Sequence, residues 1–163
     1  MKVCRPINNL GYLLQHVTAM LGKQSEQILQ EQLGIGLSQF KILRVLQSDP
    51  HMKQRQIAYA LGQTEASISR QVKLMLDDGL LQSRVSPQNR RDHITVPTIK
   101  GIKFTEVSQD LLAKYHAPTF ELLTEKQREH LREALEIIHG HICPTNHPSP
   151  YKNGKQEPEV SSR

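Results

Sequence analysis

The stretch from Lys53 to Gly79, KQRQIAYALGQTEASISRQVKLMLDDG, allows few ways to fold. Gly62 suits the left-handed residue that ends a helix, and Thr64, only two residues on, is a good N-cap. Glu65 then places an acid where the N-terminal end of a helix dipole favours one. The chain must therefore run as a short helix, a tight turn and a second helix. On that second helix Ile68, Val72, Met75 and Leu76 form an apolar stripe. The remaining face carries Glu65, Ala66, Ser67, Ser69, Arg70 and Lys73, which are small or polar.

The flanks fit one architecture. Before the turn pair, Asn8 to Leu33 repeats apolar residues on a helical period, with Asn8 or Asn9 able to cap it and Gly34 with Gly36 ending it. Ser38 is positioned to cap a helix carrying Phe40, Ile42, Leu43 and Leu46. After the turn pair, LLQSRV and HITV read as two strands around the turn-rich tip SPQNRRD. Pro97 cannot donate to a sheet ladder, so the second strand ends there or lies at an edge. Thr98 caps another long helix, with Ile102, Val107, Leu111 and Leu112 on its apolar side, expected to stop near Ala117 because Pro118 breaks it. TEKQ, Thr124 to Gln127, has the capping-box pattern and opens a last helix carrying Leu131, Leu135, Ile137 and Ile138. From Pro144 onward the chain has little to bury and reads as a disordered tail.

The expected fold is mainly α: a winged helix-turn-helix DNA-binding lobe at about 38–97, plus a helical lobe from about 8–33 and 98–143, which the family resemblance given below makes the dimerisation lobe. Residues 1–143 form a single domain, and 144–163 form the tail. A first helix this long cannot bury its apolar face in so small a lobe, and needs a second long helix or another subunit.

Charge placement points to the partner. The 163 residues carry a net charge of +5, yet eleven basic residues stand against five acidic ones between Ser38 and Phe104. That segment is a candidate surface for a polyanion, with double-stranded DNA the leading partner. A recognition helix entering a major groove needs small and polar groups outward, as here, and Arg70 is long enough to reach a guanine edge or a phosphate. A winged-helix module that docks proteins is the rival from another class, but a protein-docking surface is usually depleted in charge at its centre. There is no Gly-rich phosphate loop, nucleophile elbow or useful carboxylate pair, so an enzyme is not expected. Apolar runs are too short for a membrane span, and no secretory signal is evident, so the expected location is cytoplasmic and nucleoid-associated.

From about Phe40 to Gly101 the chain resembles the MarR family of bacterial transcription regulators. The resemblance rests on MKQRQIAYALG, on TEASISRQVKLMLDDGLL and on the wing SPQNRRDHITVPTIKG. It implies a homodimer in which the first and last two helices intertwine, acting as a repressor on a pseudo-palindromic operator and released by a small-molecule effector. It also implies that Ala66, Ser67, Ser69 and Arg70 read the major groove, that Thr64 and Lys73 stand at the same surface, that Arg91 enters the minor groove and that Arg90 neighbours a phosphate. The chain departs from the family pattern in three places. Asn89 stands where an acid usually braces the wing arginine, with Asp92 following; Lys53 replaces a Ser or Thr cap; Pro97 replaces a leucine before Thr98.

No resident cofactor is expected, and the effector is not legible. His139, His141, Cys143 and His147 lie close together in HGHICPTNH and would suit zinc or copper, although His139 and His141 are two apart, about 200° around a helix. Cys4 and Cys143 offer a redox alternative.

Overall fold

The computed structural model describes residues 9–85 and 93–142. In chain order it contains α1 (Leu10–Leu33), α2 (Leu37–Ser48), α3 (Gln54–Leu61), α4 (Glu65–Asp77), β1 (Leu81–Val85), β2 (His93–Pro97), α5 (Ile99–Glu121) and α6 (Glu125–Ile142). Asn9 caps α1, its Oδ1 accepting from Gly11 N and Tyr12 N, and Gly34 closes it. The strands form one antiparallel hairpin whose register pairs Leu81 with Pro97 and Val85 with His93. Pro97 therefore ends the second strand, where its missing N–H costs little. Cys4, Asn89, Arg90, Arg91, Asp92, Cys143, His147 and the 144–163 tail lie outside the described residues.

One core holds the middle of the chain together. Leu29 of α1, Ile42, Leu43, Val45 and Leu46 of α2, Ile57 of α3, and Ile68, Val72 and Met75 of α4 are buried with Leu80 and Leu81. Burying side chains of this size contributes roughly 1.5–3 kcal/mol each before chain entropy is counted. α2 is the hub: it packs on α1, α3, α4, α5 and β2. Polar bridges tie the layers: Leu37 N donates to Glu26 Oε2 at 2.6 Å, and Arg44 Nη1 donates to Gln109 Oε1 at 2.8 Å. Ser25 Oγ donates to Leu21 O and lies 2.9 Å from His116 Nε2. Its one proton is thus spent, which makes the histidine nitrogen the donor.

Several details differ from the sequence expectations. Ser38 is not the cap of α2; Gly36 holds that position, and the Ser38 hydroxyl donates to Gln63 Oε1 instead. Leu76 is exposed, leaving Ile68, Val72 and Met75 as the buried stripe of α4. α5 does not stop at Ala117 but runs through Pro118 to Glu121. Pro118 is exposed, so the carbonyl one turn earlier that loses its helical partner can turn to water.

The buried face of α5 is only partly the expected apolar one: Leu111 and Leu112 pack against the core. Ile102 and Val107 face outward, while Gly101, Thr105 and Ser108 are buried. A Cβ at Gly101 would collide with the carbonyl oxygen of Leu80 and press on Leu43 Cδ2. Small residues let the helix lie against the hairpin base, and the hydroxyls are satisfied within the helix: Thr105 Oγ1 donates to Gly101 O, and Ser108 Oγ to Phe104 O.

Candidate nucleic-acid interface

The turn pair forms as its residues dictate. Gly62 adopts φ 62°, ψ 33° and ends α3, a backbone conformation that glycine accepts without steric cost. Gln63 N donates to Ala58 O at 2.9 Å to close the turn. Thr64 then caps α4, its Oγ1 accepting from Ser67 N at 3.2 Å. At the start of α3, Lys53 has no side-chain acceptor to offer, and Gln56 fills that gap by accepting the Lys53 N–H on its Oε1 at 2.8 Å. This half of a capping box, absent from the sequence expectations, was readable from a glutamine three residues after the cap.

With Ile68, Val72 and Met75 buried, the opposite side of α4 is fixed outward. Ala66, Ser69, Arg70 and Lys73 are exposed and, at spacings of three, four and seven, share one helical face. Ser67 is half-buried and turned toward the turn, its Oγ 3.5 Å from Gln63 Oε1, the atom that also accepts from Ser38. Gln63 thus links α2 to the first turn of α4, a role no motif announced.

The hairpin is anchored from below. Thr98 N donates to Leu80 O at 3.0 Å. The Thr98 hydroxyl donates to Gly79 O at 2.7 Å and accepts from Gly101 N at 3.0 Å. Lys100 Nζ donates to Asp78 O at 2.7 Å. The end of α4, the base of the hairpin and the start of α5 are therefore one hydrogen-bonded unit. The tip arginines Arg90 and Arg91, with Asn89 and Asp92, lie outside the described residues.

His139 and His141 both sit in the last turn of α6, pointing to different sides as the helical period requires. Among the described residues no group of three or more His, Cys, Asp or Glu is placed to hold a metal ion. An open groove lies along α5, lined by Ile99, Lys100, Lys103, Phe104 and Val107. No helix of the described residues is long and apolar enough to cross a membrane.

A turn-linked helix pair with a capped, outward polar face, followed by a hairpin locked to its base, gives the chain the architecture of a winged helix-turn-helix. A family model described as MarR family matches residues 33–92. The chain is therefore similar to the MarR family over its middle segment. It is 26% identical over 121 residues to the HTH-type transcriptional regulator BilQ of Clostridium symbiosum, covering 72% of this chain and 83% of that protein. Among solved structures it resembles apo MarR from E. coli, with a TM-score of 0.72 and 19% identity over 82% of this chain and 98% of that one. CouR from Rhodococcus jostii bound to p-coumaroyl-CoA gives a TM-score of 0.68 at 18% identity, covering 91% and 96%. A Mycobacterium tuberculosis MarR-family protein in complex with p-aminosalicylic acid gives 0.69 at 23%, covering 80% and 98%.

Proposed function

We propose that the protein is a homodimeric repressor that reads a pseudo-palindromic operator and is released by a small-molecule effector. The observation that carries the DNA reading is the outward face of α4, where Ala66 and Ser69 keep the helix slim while Arg70 and Lys73 supply charge. A helix with that profile fits a major groove about 12 Å wide. Ala66, Ser69 and Arg70 face the bases, with Ser67 beside them; Thr64 and Lys73 meet the backbone; Arg90 and Arg91 of the wing act at a phosphate and in the adjacent minor groove. The DNA-binding lobe spans about 38–97.

The dimer reading is supported by exposed apolar surface on the terminal helices. Leu10, Leu13, Leu14, Val17 and Met20 of α1, and Leu131, Leu135, Ile137, Ile138 and Ile142 of α6, are open to solvent in the single chain. Apolar surface on this scale marks an interface, and two-fold pairing of these helices would bury it. The small-molecule reading is supported by structures of similar fold that hold p-aminosalicylic acid and p-coumaroyl-CoA, both of which carry an aromatic ring. The α5 groove offers apolar walls with Lys103 at its side.

A fluorescence titration with random duplex DNA at two salt concentrations tests the DNA reading. Affinity that falls steeply with salt is expected, as phosphate contacts release counterions. Binding that is absent or indifferent to salt would sink it.

A further inference from the structure

We propose that Arg55 is a further contact to the DNA backbone and that Glu65 is the positioning residue that holds it beside the recognition helix. The inference rests on the DNA reading above and adds a pair that the sequence motifs do not single out. Arg55 is the second residue of α3 and Glu65 the first of α4. Arg55 Nε lies 3.8 Å from Glu65 Oε1 across the turn, with the two side chains 87% and 64% exposed.

An ion pair this exposed adds little to the stability of the free protein. An acid at the tip of a cationic groove-reading helix would also repel phosphate unless something neutralised it. Both facts make sense if the pair works on DNA. In a helix-turn-helix the first helix crosses the backbone while the N-terminal residues of the second approach base edges. Arg55 belongs to the first helix and Glu65 to the N-terminal end of the second, so the pair straddles the line between phosphate and groove. The engaged atom is Nε, which leaves both Nη groups of the guanidinium free of Glu65 and able to grip a phosphate in the fork geometry that lysine lacks. Docking excludes water and strengthens the pair.

The test is a double-mutant cycle read by fluorescence anisotropy on specific and random duplexes across a salt series. Arg55→Ala should weaken binding to every duplex by about tenfold and lower the salt slope by about 1. Glu65→Gln should also weaken binding, without changing base preference, and should have no further effect once Arg55 is alanine. A loosened α4 would still lower affinity in the Arg55→Ala background, so persistence of the loss there overturns the proposal. Tighter binding by Glu65→Gln overturns it too, since the acid would then only repel DNA. A loss confined to a cytosine step and independent of Arg55 overturns it in favour of direct base reading by Glu65. Salt-dependent wild-type binding with both variants unchanged overturns this pair alone. No wild-type binding overturns it together with the DNA reading.

Discussion

Leu43 on α2 is fully buried, while Ile137 on α6 is 75% exposed and Leu10 at the start of α1 is 83% exposed. The same residue classes serve the winged segment as a core and the terminal helices as an open face. In the middle of the chain, α2 touches five other elements, and a hydrogen-bonded junction at Thr98 locks the hairpin to α5. α6 instead is held mainly by its own cap and side-chain pairs, with Arg128 Nη1 donating to Phe120 O and Leu123 O where α5 ends. Thr124 N donates to Gln127 Oε1 at 2.9 Å and Gln127 N donates to Thr124 Oγ1 at 3.3 Å, Arg132 pairs with Glu136, and none of its residues is buried. Most of a helix's stability in a protein comes from tertiary packing of its apolar face, which α6 lacks in the single chain. One region buries its apolar residues in a core; the other leaves them open, as the proposed dimer requires.

Mutations should separate the two regions. The largest effect belongs to the core: Leu43→Ala should cost about 2–5 kcal/mol of unfolding free energy, seen in urea denaturation at any protein concentration. Next comes the open face. Leu135→Asp should leave the winged segment folded by circular dichroism but should abolish the concentration dependence of assembly in sedimentation experiments, because a charge in an apolar interface goes unpaired. An unchanged oligomeric state would mean that α6 is not the interface. Arg70→Ala should leave stability alone and cost on the order of 1–3 kcal/mol of operator affinity at its base step. Thr64→Ala is smaller, about 1 kcal/mol of stability through loss of the α4 cap, read from the shift in thermal midpoint.

The sequence was most legible where a local rule and the core agree. Gly62, Thr64 and the Thr124–Gln127 box mark helix ends through backbone chemistry alone, and the structure places them there. Legibility failed where tertiary packing overrode local pattern. Apolar periodicity grouped Ile102 and Val107 with Leu111 and Leu112, but close approach to Leu80 requires Gly101 on the buried side, which Thr105 and Ser108 share. Pro118 promised a break, yet an exposed proline near a helix end is tolerated. Of the interface, the outward face of α4 followed directly from its buried stripe. The part played by Gln63 did not, because a single amide joining two helices leaves no periodic trace.

The central claim is that a two-fold pair of these chains reads DNA through α4 and the wing. Footprinting of the full-length protein on genomic DNA tests it most directly. The account predicts protected sites made of two inverted half-sites about one helical turn apart, roughly 10 bp centre to centre, with protection lost in Arg70→Ala. Protection of single asymmetric sites, or none above the random background, would contradict it.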